Sequence, residues 1–257
     1  MLLQILVTLL TILVINFLLI KFNFLLDLDG KFDHKTLVKS KKIVPLSGGI
    51  VLFILFNYFY FQDYIFLISS LFILILGLSS DIDFLRSPKI RIFAQICILF
   101  FYILFSKIYF TDVRIYSLNF LLNFYTFALI FNIFFYLVLL NGTNLIDGLN
   151  SITLGYYISI TIILFIVSFE HSLFIDFKFI NIILSILLVI FLVNFFGKAY
   201  MGDSGSYLIS FIFGVFLIKF YIQNPLISPY FIMCLLWYPA FENLFSIIRK
   251  QVNKISF

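Results

Sequence analysis

Apolar runs separated by short polar segments fill the chain from end to end. Nine of them approach the roughly 20 residues a helix needs to cross about 30 Å of hydrocarbon. They lie at about 2–20, 45–61, 64–80, 92–110, 118–140, 152–169, 179–196, 207–222 and 230–248. A membrane-spanning barrel strand would alternate lipid-facing and lumen-facing residues, whereas these runs are continuously apolar and so predict helices. The pattern is that of an all-α polytopic bundle of about nine transmembrane helices. The first run opens Met1-Leu2-Leu3-Gln4 without a cationic stretch and exceeds the core of a signal peptide, so it is read as a mature helix.

Composition leaves the bilayer as the solvent. Of 257 residues, 63% are hydrophobic, 21% aromatic and only 11% charged. A soluble domain carries about 25% charged residues, so too few charges are present to wet a globular surface of this size. Disorder is excluded by the same excess of apolar residues. Cys97 and Cys234 sit inside apolar runs and behave as small hydrophobes. Alternating the loops puts 13 of the 17 Lys and Arg on one side, leaving only Lys107, Arg114, Lys178 and Lys219 on the other. The positive-inside rule then places the N-terminus outside and the C-terminus in the cytoplasm. The net charge of +5 describes a cytoplasmic face suited to anionic lipid and phosphate, without nucleic acid.

Strongly polar residues between spans carry the functional information, and four clusters fall on the cytoplasmic side. Lys41 and Lys42 close a basic run that leads into Pro45 and the Gly48-Gly49 pair at a helix start. Free N–H groups and positive charge there suit a phosphate, although a plain basic flank with a packing glycine pair would look the same. Ser80-Asp81 follows the third span, with Lys89, Arg91 and Gln95 further on. Asn141, Asn144, Asp147 and Asn150 crowd a segment that needs no side-chain amides merely to turn. Gly202-Asp203-Ser204-Gly205-Ser206 sets one carboxylate between glycines at the mouth of a helix. Asp81, Asp147 and Asp203 thus end three helices on one face, where converging carboxylates would hold a divalent cation against a diphosphate. No His or Cys lies nearby in sequence, so zinc is not expected.

The order Pro45-x-x-Gly48-Gly49, Ser80-Asp81 with Lys89 and Gln95, Asn141-x-x-Asn144-x-x-Asp147-Gly148, and Met201-Gly202-Asp203-x-Gly205-Ser206 resembles the polyprenyl-phosphate N-acetylhexosamine-1-phosphate transferases. This is glycosyltransferase family 4, which includes the phospho-MurNAc-pentapeptide translocase and the enzymes that start surface glycans. The resemblance implies transfer of a sugar 1-phosphate from a UDP-N-acetylhexosamine to polyprenyl phosphate, with release of UMP, at the cytoplasmic face of a bacterial inner membrane. It implies Asp81, Asp147 and Asp203 as catalytic residues, and Mg²⁺, or Mn²⁺ in its place, on Asp203 and Asp147. It also implies Lys41 or Lys42 at a phosphate and Gly148, Leu149 and Asn150 along the uridine. Asn144, Asn194 and Tyr200 are further candidates for substrate contact.

Departures from the family pattern favour the glycan-initiating branch. Ser80 stands where most members have the first of two Asp, and Asn150 where an Asp is usual. A lipid phosphate is already largely ionised near neutral pH, with a second pKa of about 6 by analogy with phosphoserine, so Asp81 alone would suffice. Family members also continue into a His-rich cytoplasmic loop and at least one further helix. The sequence to Phe257 is therefore expected to be a single transferase domain, C-terminally incomplete and weak or inactive by itself. A transporter or channel is the rival reading, as is an inactive truncated transferase. Polar residues at mid-membrane depth would favour a transporter. Which sugar and polyprenol are used, and whether the chain forms a homodimer, stay open.

Overall fold

The structure, a computed structural model, describes residues 1–27, 43–148 and 151–252. Eleven helices occur among them, with one short ribbon in which β1 (Leu26–Asp27) pairs antiparallel with β2 (Val44–Pro45). Seven helices are long and apolar enough to span a bilayer. They are α1 (Leu2–Lys21), α3 (Tyr64–Asp81), α4 (Pro88–Ser106), α6 (Tyr125–Ile146), α7 (Ile152–Glu170), α8 (Phe177–Phe195) and α9 (Gly202–Gln223). The bent pair α10 (Pro229–Leu235) and α11 (Trp237–Val252) makes an eighth if it is counted as one span.

The second expected span, at 45–61, is the clearest difference. Here α2 covers only Gly48–Phe59, 12 residues, or about 18 Å at 1.5 Å per residue. The apolar run is longer than the helix because Val44-Pro45 belongs to β2; Pro45 has no N–H to give and holds its neighbour extended. The expected span at 118–140 is likewise divided, into α5 (Tyr116–Leu122) and α6, which start on either side of Asn123-Phe124.

The bend of 64° between α10 and α11 has an identifiable cause. A continuous helix would need the backbone N–H of residue 239 to bond the carbonyl of Leu235, and Pro239 has none. The Tyr156 hydroxyl donates to that carbonyl at 2.5 Å instead. In this way α7 satisfies an acceptor that lipid could not.

At the centre lies α9, buried along nearly its whole length between α3, α6 and α2. Small residues make these approaches close. An added Cβ at Gly77 would stand 2.3 Å from the Cα of Ser204, and one at Gly142 would stand 2.1 Å from the carbonyl oxygen of Pro239. Gly48 and Gly49 meet Met201, Ser204 and Gly205 in the same manner, which gives the pair a packing role. Aromatic rings from α3, α4 and α6, among them Phe66, Tyr102 and Tyr136, close around Phe211 of α9. Cys97 and Cys234 are exposed on helix surfaces. The charged clusters of α3, α4, α6 and α9 all come out at one end of the bundle because consecutive spans run antiparallel.

Candidate active site

Helix boundaries move the polar clusters from loops onto helix ends. Asp81 is the last residue of α3, and α6 continues through Asn141, Gly142, Thr143 and Asn144 to Ile146. Gly202 through Ser206 form the first turn of α9. The side chains are therefore set by rigid elements, with 3.6-residue spacing deciding which share a face.

The start of α9 is fixed from two directions. Tyr200 donates its N–H to the carbonyl of Pro45 at 2.9 Å and accepts from the N–H of Gly48 at 3.0 Å. Asn16 of α1 joins in, donating to the carbonyl of Lys198 at 3.2 Å and accepting from the hydroxyl of Ser47 at 2.5 Å. From the other side Asp81 caps the helix. Its Oδ1 accepts the N–H of Asp203 at 2.7 Å and its Oδ2 that of Ser204 at 3.1 Å, satisfying donors that the first turn leaves open. Gly202 has φ +68, and a Cβ there would sit 2.8 Å from both carboxylate oxygens, so glycine allows the carboxylate to reach the helix.

While Asp81 bonds to the α9 backbone, the side chain of Asp203 stays partly exposed. The hydroxyl of Ser80 donates to its Oδ2. Arg91 of α4 donates Nη1 to that same oxygen at 3.0 Å and to Ser80 Oγ at 2.6 Å. Side-chain exposures of 23% for Arg91 and 28% for Asp203 put this pair at the rim, where solvent screens it in part. Ser206 links the same turn to α6: its hydroxyl donates to Asn144 Oδ1 at 3.1 Å, and Asn144 Nδ2 reaches Tyr207 Oη at 3.3 Å. One turn back on α6, Asn141 donates to Gln95 Oε1 at 2.8 Å.

Asp81, Asp203 and Asn144 are thus brought into one neighbourhood. Asp147, half-buried, ends α6 three residues beyond Asn144, with Gly148 exposed beside it. Among the described residues no three His, Cys, Asp or Glu lie close enough to hold a metal ion. Each oxygen of Asp81 accepts one N–H of the α9 backbone, and the carboxylate paired with Arg91 is that of Asp203. Hard oxygen donors around a single carboxylate still fit Mg²⁺, which takes one or two carboxylates and completes its shell with water and substrate phosphate.

Two further candidates have structural partners. Asn194 is buried at the end of α8, where Oδ1 accepts the hydroxyl of Ser151 at 3.0 Å and joins α8 to the start of α7. Tyr200 uses its backbone to seat α9. Lys41, Lys42, Leu149 and Asn150 lie outside the described residues.

Arg91 is the contributor that sequence reasoning passed over, treating it as one more cytoplasmic cation. The available signal was Pro88, which marks the first position of α4 and puts Arg91 in its opening turn, opposite the end of α3. Ser206 and Tyr207 were equally legible as i+3 and i+4 from Asp203.

A model of the family described as glycosyl transferase family 4 matches residues 64–221. The match runs from the first turn of α3 into the last turn of α9 and contains Ser80, Asp81, Arg91, Asn144, Asp147 and Asp203. No curated protein matches the chain.

Proposed function

Because the chain belongs to glycosyl transferase family 4, we propose that it transfers a sugar 1-phosphate from a UDP-N-acetylhexosamine to polyprenyl phosphate at the end of the bundle where Asp81 and Asp203 meet. The observation that carries this reading is the Asp203 carboxylate, partly exposed in the first turn of α9 and held there by Ser80 and Arg91. A deprotonated oxygen of the lipid phosphate attacks the β-phosphorus of the UDP-sugar. The bond from that phosphorus to the oxygen bridging the α-phosphate breaks, UMP leaves, and a lipid-diphosphate sugar remains. No base need remove a proton from an acceptor with a second pKa of about 6, which suits a site whose Asp81 serves α9 and whose neighbour is Ser80.

Asp203 would hold Mg²⁺, with Asp147 as the second candidate ligand, and the ion would supply positive charge beside the diphosphate. The protein's own contribution is positioning. Asp81 fixes the first turn of α9, and with it the direction of Asp203. Ser206 and Asn144 tie that turn to α6, which carries Asp147 and Gly148 toward the nucleotide. Lys41 or Lys42 would meet a phosphate, and Leu149 and Asn150 the uridine. In this reading the chain is one integral membrane transferase domain. The site would face the cytoplasm, which the Lys and Arg bias supports, in a bacterial inner membrane, and would act at the first membrane step of surface glycan synthesis.

The test is a panel of UDP-sugars given to membranes carrying the full-length protein. UMP is expected only when polyprenyl phosphate and Mg²⁺ are both added, and from a UDP-N-acetylhexosamine in preference to UDP-hexoses. Movement of labelled sugar across the membrane without UMP would support a transporter and overturn the proposal.

A further inference from the structure

At the opening of the bundle the protein already supplies a cation to Asp203. Arg91 Nη1 is 3.0 Å from Oδ2 and 2.6 Å from Ser80 Oγ, and the Ser80 hydroxyl donates to the same Oδ2. A serine hydroxyl has one proton to give and a lone pair to spare. Here it gives the proton to Asp203 and accepts from Arg91, so the guanidinium is seated on two neighbouring acceptors at once. The adjacent carboxylate of Asp81 instead accepts from the α9 backbone through both oxygens.

We propose that Arg91 sets the affinity of Asp203 for a divalent cation by occupying the same carboxylate oxygen, so that the cation enters by displacing the guanidinium. The proposal rests on Asp203 being the cation's ligand and adds what that ligand does before the cation arrives. Two cations on one oxygen repel strongly at a site only partly open to water. Without Arg91 the Asp203 carboxylate would keep the Ser80 hydroxyl but lose its cation, and its charge would draw a divalent ion more tightly. With Arg91 in place, an ion must compete. Ser80 makes the competition sharper. A carboxylate at that position would hold the guanidinium aside, whereas a hydroxyl only helps to fix it on Asp203.

Cation exchange on Asp203 would make metal entry depend on an incoming anion. A free divalent ion gains Asp203 but leaves a guanidinium without its partner. An ion arriving with a diphosphate brings acceptor oxygens that give the displaced guanidinium a new partner. The resting site is then selective for the ion together with its substrate.

The experiment measures Mn²⁺ binding to the purified full-length protein without any substrate, by the electron paramagnetic resonance of free Mn²⁺. Arg91→Gln should bind Mn²⁺ about tenfold more tightly than the unmodified protein, the scale of a charged hydrogen bond given up in exchange. Arg91→Lys, which keeps the charge but loses the fork that reaches both Ser80 and Asp203, should fall between the two. Adding Asp203→Asn to Arg91→Gln should remove the gain. A merely structural Arg91 would lower the melting temperature without tightening Mn²⁺ binding. Unchanged or weaker Mn²⁺ affinity in folded Arg91→Gln, with Asp203-dependent binding in the unmodified protein, overturns this proposal alone. Absence of Asp203-dependent binding in every variant overturns it together with the assignment of the cation to Asp203.

Discussion

Asp203→Asn is expected to reduce sugar-phosphate transfer by about a hundredfold or more, the scale seen when a single charge-stabilising contact is removed from a transition state. The bundle itself should stay folded. Asn has the shape of Asp, its remaining oxygen still accepts the Ser80 hydroxyl, and the backbone N–H of residue 203 still reaches Asp81 Oδ1. What disappears is the negative charge that Arg91 satisfies at rest and that a divalent cation would need beside a diphosphate. Initial rates of UMP release, set beside the thermal unfolding of the same preparation, separate the two effects. Near-normal turnover in a folded Asp203→Asn protein would remove the cation from this residue.

The second large effect should come from a residue that touches no substrate. Gly77→Ala gains about 1 kcal/mol in intrinsic helix propensity. The added methyl, however, falls 2.3 Å from the Cα and 2.6 Å from the N of Ser204. Those are backbone atoms in the first turn of the central helix and cannot swing aside. The helices must separate, and overpacking of this kind costs about 1–3 kcal/mol or more, so the clash outweighs the propensity. The separation would occur one helical turn from Asp81 and beside Ser80, pulling the cap off α9 and the hydroxyl off Asp203. Both the melting temperature and the transfer rate should therefore fall. Gly155→Ala in α7 is the matched control, because its new methyl meets only a Phe191 ring carbon at 3.4 Å. That variant should be as stable as the unmodified protein or slightly more so. Equal stabilities for the two alanine variants would mean that α3 and α9 are not packed as closely as described.

The physics of hydropathy explains which parts of this architecture could be read from sequence. Nine apolar segments were visible because covering a helix in lipid takes many apolar residues in succession, and each has a helical counterpart. Hydropathy sums over a window, however, and does not register a change of backbone geometry inside it. So Pro45 was merged with α2, and the break at Leu236 was missed although Pro239 announced it. Polarity had the opposite effect. Asn141 to Asn144 were assigned to a loop because they are hydrophilic, yet they complete α6, where neighbouring helices and not lipid surround them.

At the site, residue types and order were legible, whereas partners were not. Asp81 and Asp203 were correctly placed at one end, but nothing in their spacing said that Asp81 would cap α9. That arrangement depends on Gly202, whose positive φ is a property of three-dimensional approach. Arg91 shows the same limit. Charge counting placed it correctly among the cations of that end, and only the antiparallel return of α4 against α3 brings it onto Asp203.

The central claim is that phosphorus moves with the sugar, and a UDP-N-acetylhexosamine labelled with ³²P at the β-phosphate tests it most directly. Incubated with polyprenyl phosphate, Mg²⁺ and membranes carrying the full-length protein, the label should pass into the organic phase as a lipid diphosphate while unlabelled UMP accumulates in water. Asp203→Asn membranes should leave the label in the aqueous UDP-sugar. Label recovered in water as UDP, with the sugar alone on the lipid, would contradict the account and identify a different bond as the one that breaks.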